Sequence, residues 1–331
     1  MKFITTIAKS GINKIDDIAT RIAGSTSAQS EIKFIERTVD VVSDTFARSP
    51  KANVFIDFSK KIASIQSADD LTILAQEFKK LDLDNVMKDE LINQYVIKYE
   101  SFYNQLYAGK TFDSKVLFKQ IFGKDLSPEV AQSLCDKYRD ILAEPCFNIF
   151  LEKLYAQVKK DFDLDYIDSF LELNPQKGKG IAFSGGASVF LDFTKMTFFE
   201  DNPLNRRKAF ELMMHEINHM KQQELCLATN AQEYINAIAQ RKGCAPQVVS
   251  RAIGGNTIYS VMQKHGAIPK TSPLYKRCMR YIESNKNYFS PSGNFTPEGF
   301  IVYKKQLLEA ESYAVQDRAG ELFYFLTGNS I

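Results

Sequence analysis

From residue 30 to residue 173 apolar side chains recur three and four positions apart, as in Phe34, Val39, Val41, Val42 and Phe46, and again in Leu91, Ile92, Tyr95, Tyr99 and Tyr103. That spacing places them on one face of a helix, so the region reads as one helix after another. Start signals recur with it. Ser67 precedes Asp69 and Asp70, and Ser127 precedes Pro128 and Glu129, a capping residue followed by proline at the first helical position. No internal repeat is visible. The pattern changes at Asn174-Pro175-Gln176-Lys177-Gly178-Lys179-Gly180, a loop signature and an expected domain boundary. After it, Ile181-Ala182-Phe183 and the Val-, Phe- and Thr-rich run from Ala187 to Phe199 predict strands. Asn202-Pro203 then opens a helix expected to run to about Glu224. Residues 229–285 read as helices and loops broken at Gly254-Gly255 and Pro269, and Ser290–Gly293 as a further loop. Thr296-Pro297-Glu298 opens a final long helix reaching Leu326, with Gly328 just past its end. The expected fold is α+β but mainly α: an α-helical domain over 1–175, then a domain over 176–331 with a small sheet, a central helix and a long C-terminal helix.

Residues 1–23 can form an amphipathic helix with Phe3, Ile4, Ile7, Ile12, Ile15, Ile18 and Ile22 on one side. The preferred reading is a helix packed on the body or a tail, ahead of a membrane-surface role. Lys9, Asn13 and Lys14 interrupt the apolar run too early for a secretory leader, and no window of about 20 apolar residues exists to span a membrane. The expected location is therefore the cytoplasm, or a host cell reached without a signal peptide. With 331 residues, 44% of them hydrophobic and 25% charged, the composition is that of a globular protein. A net charge of +2 gives no basic field that points to a nucleic-acid partner. The five cysteines, at 135, 146, 226, 244 and 278, are scattered and form no CxxC pair, which argues against a disulfide framework or a thiolate zinc site.

The chemistry-bearing pattern is His215-Glu216-Ile217-Asn218-His219, an H-E-x-x-H sequence. Residues four apart on a helix lie about 40° from each other and about 6 Å apart along the axis, so two imidazoles can converge on one ion. Zinc suits them, because it accepts neutral nitrogen without a geometric preference of its own. Glu216, next to the first histidine, points to one side and is placed to take the proton of a water rather than to bind metal. The chain has three histidines, and two of them fall in this motif. Phe210, Met213, Met214 and Ile217 form an apolar face for the same helix. The competing reading is two ordinary histidines on a half-buried helix.

Two histidines do not complete a catalytic site; a third protein ligand is needed, with one position left open. The continuation H-x-x-G-x-x-H is absent, since positions 222 and 225 are Gln and Leu. Glu233 and His265 are possible ligands. So are Glu309 and Glu311, two acids in the middle of an otherwise apolar helix, where a buried carboxylate needs a counter-charge. A carboxylate is favoured over His265, because a neutral pair of imidazoles needs an anion to hold a dication. Two positions apart on a helix, Glu309 and Glu311 point about 200° away from each other, so only one can face the metal.

H-E-x-x-H followed by a helix reading Glu309-Ala310-Glu311-Ser312-Tyr313-Ala314-Val315-Gln316 resembles the gluzincin class of zincin metallopeptidases. It is similar to bacterial peptidase and toxin or effector groups whose second helix reads E-x-E-A-Y-x-x-Q. The resemblance covers two short helices. It implies a zincin-like domain over 176–331, a Zn²⁺ cofactor, and hydrolysis of peptide bonds in a protein or peptide substrate. It also implies that the third ligand is the glutamate immediately before the small residue, here Glu311 before Ser312. An oxyanion donor is expected as well, with Tyr313, Tyr303 and His265 as candidates and Tyr313 taken as catalytic beside Glu216. The strand near Ala187–Phe193 is a place for an extended substrate to pair. Two other classes stay open: an inactive metal-binding scaffold, and a helical interaction protein.

Overall fold

The structure is a computed structural model that describes residues 51–67, 80–165, 170–173, 182–185, 188–191, 203–289 and 297–327, with a few single positions between them. The expected N-terminal amphipathic helix, the loop at 174–180 and the Asn202 cap lie outside the described residues. By contact the chain divides into two compact units, Met1–Ala108 and Gly109–Ile331.

In the first unit, α1 (Ala52–Ser64) packs on α2 (Asn85–Tyr107). Phe55, Phe58 and Ile62 of α1 and Leu91, Tyr95 and Tyr99 of α2 are buried. Asp84 caps α2 by accepting from Met87 N at 3.0 Å.

The second unit holds α3 (Ser114–Phe122), α4 (Pro128–Leu142), α5 (Phe147–Asp161), α6 (Pro203–Lys242), α7 (Pro246–Ile253), α8 (Gly255–His265), α9 (Pro273–Lys286), α10 (Pro297–Lys304) and α11 (Leu307–Thr327). Ser127 caps α4 as its sequence predicts, accepting from Val130 N ahead of Pro128 at the first turn. Ser272 and Pro273 repeat the device at α9. Three four-residue strands, β1 (Phe170–Leu173), β2 (Ala182–Gly185) and β3 (Ser188–Leu191), lie between α5 and α6. β3 is central, parallel to β1 with Phe170 opposite Ser188 and antiparallel to β2 with Gly185 opposite Ser188.

The α+β expectation is corrected: the fold is nearly all-α. The run from Ala187 to Phe199 has strand composition, but the described strand in it covers only Ser188–Leu191. Strand-forming residue types mark a pleated, half-buried surface rather than a backbone preference of their own. The three short strands pair as one small sheet against α6, and the rest of the core is built helix on helix.

α6 is the centre of that core. It packs against α11, α9, α5, α7 and α8. Phe210, Met213, Met214 and Ile217 are all fully buried, so the motif helix is anchored along its apolar face. Phe210 meets Tyr138 of α4 and Phe323 of α11 edge-on, with ring centroids 5.6 and 5.7 Å away. The helix extends well past Glu224 and bends at Asn230, whose φ and ψ of −160° and 83° are not helical. Asn230 Oδ1 accepts from Glu233 N at 3.1 Å, so this residue caps a second helical segment.

The final helix is likewise two pieces. A turn at Lys305-Gln306 separates α10 from α11. Gln306 spends its side chain on the loop before them, accepting from Phe289 N at 2.6 Å and donating to Phe289 O at 2.8 Å. Among the described residues no helix is long and apolar enough to cross a membrane.

Candidate metal centre

His215 and His219 project from one side of α6, their ring centroids 4.8 Å apart and their planes at 77°. The two Nε2 atoms are 3.1 Å from each other. Facing them is Glu309, in the first turn of α11 and only 1% exposed. Its Oε2 lies 3.4 Å from His215 Nε2, and its Oε1 lies 3.4 Å from His219 Nε2. Ligand atoms of all three residues fall within 4.8 Å of one another.

These distances can be tested against an ion. Bonds of about 2.0–2.1 Å at tetrahedral angles put neighbouring ligand atoms about 3.3 Å apart. The 3.1 Å between the two Nε2 atoms and the 3.4 Å from His215 Nε2 to Glu309 Oε2 are close to that edge length. Glu309 Oε2 supplies a second sign: it is buried and accepts no hydrogen bond. An unsatisfied buried carboxylate oxygen is costly. A cation between the three side chains would remove the cost. The residues present therefore fit a metal ion.

The surroundings orient the ligands. Gln222, one turn beyond His219, donates from Nε2 to Leu308 O at 3.0 Å, which turns its Oε1 toward the imidazole. That oxygen lies 2.8 Å from His219 Nδ1. Nδ1 then carries the proton and Nε2 presents its lone pair to the centre, the arrangement that metal-bound histidines adopt. Ser312 Oγ lies 3.2 Å from the same Nδ1 and accepts from Asn218 Nδ2 at 3.0 Å. Ser312 is fully buried, and its small side chain lets α11 approach α6. Tyr288, in the segment after α9, donates its hydroxyl to Glu309 Oε1 at 2.5 Å.

The electrostatics follow from burial and these contacts. Burial raises the Glu309 carboxyl, but the two imidazoles facing it outweigh that and hold it well below the usual carboxylate range. Burial lowers His219, but Glu309, with Glu216 adding to it, raises the imidazole to about 9. Burial and the Glu309 charge push the Tyr288 hydroxyl far up.

The site residues named from sequence are distributed as follows. His215, His219 and Glu216 share the motif helix as expected, and Glu216 is 6% exposed. Tyr313 stands edge-on to His215, with centroids 4.7 Å apart, so it does line the site. Glu311 does not. Its carboxylate accepts from Arg277 Nη2 at 2.8 Å and from the Tyr281 hydroxyl, tying α11 to α9. The structure therefore brings Glu309, and not the expected Glu311, to the two histidines, because one face of α11 meets α6 and Glu311 is on another. Glu233 pairs with Lys286 at 3.1 Å, and His265 contacts the buried Glu224, so neither joins the cluster. Tyr288 and Gln222 were not anticipated. Gln222 has a readable signal, its spacing of three from His219; Tyr288 has none. Protein-family models, curated proteins and solved structures give no match to the chain.

Two outcomes follow for the purified protein. Glu309→Ala is expected to lose most bound zinc while Glu311→Ala keeps it, as measured by metal content after gel filtration; the reverse pattern would restore Glu311 as the ligand. In metal-free protein His219 titrates near 9 instead of its ordinary 6.5. A histidine raised on folding adds stability that is complete below 6.5 and is lost as pH climbs toward 9. An NMR titration of the His219 ring in chelator-treated protein checks this, and a midpoint at or below 6.5 contradicts it.

Proposed function

We propose that the protein is a zinc-dependent endopeptidase, with His215, His219 and Glu309 holding the ion and Glu216 as the proton-transfer group. The observation that carries the reading is the convergence of Glu309 on the two histidines of the H-E-x-x-H helix, with a second acid, Glu216, left beside them. Two nitrogens and one carboxylate match the ligand sets of hydrolytic zinc sites, which keep a fourth position open. A bound zinc ion would supply Lewis acidity, making a water more acidic and polarising a scissile carbonyl. Glu216 takes the proton from the attacking water and returns it to the leaving amine. Gln222 and Ser312 keep His219 in the tautomer that ligation needs. Tyr313, whose ring stands against His215, is the group we assign to hydrogen bonding with the developing oxyanion. All five cysteines are free thiols, which supports a reducing compartment, whether the cytoplasm or a cell into which the protein is delivered.

One observation favours a second reading. His215, Glu216 and Glu309 are all buried, which also suits a closed, structural metal site. The same variant distinguishes the two. Glu216→Gln is expected to bind zinc as the wild type does and to lose about 10²–10⁴-fold in peptide cleavage, scored on a proteome-derived peptide library by mass spectrometry. Zinc bound by both proteins, with cleavage by neither, would reject the peptidase and leave the scaffold. No zinc in the wild type would reject both.

A further inference from the structure

We propose that Tyr288 is a positioning residue that makes Glu309 a one-oxygen ligand, occupying Oε1 so that Oε2 alone serves the metal. The inference rests on the metal-site reading above and goes beyond it, because it concerns the coordination number of the site.

The two oxygens of Glu309 are treated differently by the protein. Each oxygen faces one imidazole at 3.4 Å, but Oε1 also receives the Tyr288 hydroxyl, while Oε2 is buried with no hydrogen-bond donor. A carboxylate free at both oxygens is able to bind an ion through both, and a bidentate carboxylate with two imidazoles already fills four positions. With Oε1 held by a phenol, two nitrogens and one oxygen fill three, and a fourth stays available for water or substrate.

Tyr288 is itself held in place. Its ring stands edge-on to Tyr303, with centroids 6.2 Å apart and planes at 82°. The Arg241 guanidinium lies over the ring, 4.8 Å from its centroid, and Arg241 Nη1 also donates to Asn285 Oδ1 at 3.0 Å. Tyr288 Oη is a further 3.4 Å from Tyr303 Oη. The next residue, Phe289, is fastened by both its backbone N and O to the Gln306 side chain at the entrance to α11. The segment that bears Tyr288 is thus pinned to the helix that bears Glu309, so the phenol keeps its place over Oε1.

The variant Tyr288→Phe removes the hydroxyl and leaves the ring that Tyr303 and Arg241 hold, so the fold should survive; thermal melting of the metal-free protein verifies this. The direct readout is the visible spectrum of the Co²⁺-loaded protein, where four-coordinate sites absorb strongly and five-coordinate sites weakly. Wild type is expected to give the strong spectrum. Tyr288→Phe is expected to give a weaker, five-coordinate one and to bind Zn²⁺ about 10–100-fold less tightly, as is usual when a group that orients a metal ligand is removed. Tyr303→Phe, which removes a hydroxyl that does not bond Glu309, should leave the spectrum unchanged. A Tyr288→Phe spectrum and affinity equal to wild type overturn the inference while leaving the metal site standing. Failure of the wild type to bind Co²⁺ or Zn²⁺ overturns the metal site itself.

Discussion

A carboxylate in the core of a protein has to be compensated, and Glu309 is compensated by the two imidazoles it meets across the α6–α11 contact. Removing water from an anion costs several kcal/mol unless partners replace it. Here the partners sit one turn apart on a helix whose apolar face is fully buried, so they cannot move away. The arrangement admits two compensations. Without metal, Glu309 keeps a proton on His219 up to about 9. A bound dication would take over the charge balance and displace the proton. Ion and proton would then compete for the same space between α6 and α11.

Much of the helical architecture is legible in the chain. The capping residue Ser127, followed by proline, marks a helix start that the structure reproduces. The H-E-x-x-H spacing alone places two imidazoles together. The strand signals at 181–183 and 187–199 are met by β2 and β3 as far as the described residues go, but residue type does not reveal their pairing, which is a tertiary property. α6 extends beyond Glu224 and bends at Asn230, whose side chain caps the segment that follows.

The third ligand shows where motif logic and helix geometry part. Glu309 and Glu311, two positions apart, face different ways, and the family resemblance implies Glu311. The phase of α11 points to the other acid. Ser312, Ala319 and Phe323 are buried and continue from Glu309 at intervals of three, seven and four, the spacing of one helix face. Glu311 falls off that stripe, toward Arg277 and Tyr281. Reading the small and apolar residues first, and the acids against them, selects Glu309. No such reading reaches Tyr288, which comes 21 residues earlier in a segment without periodicity and meets Glu309 only through the fold.

The central claim is that His215, His219 and Glu309 converge on one metal ion. It is tested most directly by anomalous diffraction at the zinc edge from crystals of the zinc-loaded protein. The account predicts one strong peak, about 2.0–2.2 Å from both Nε2 atoms and from a Glu309 oxygen. A peak bonded to Glu311 or His265 instead, or no peak between α6 and α11, would contradict it.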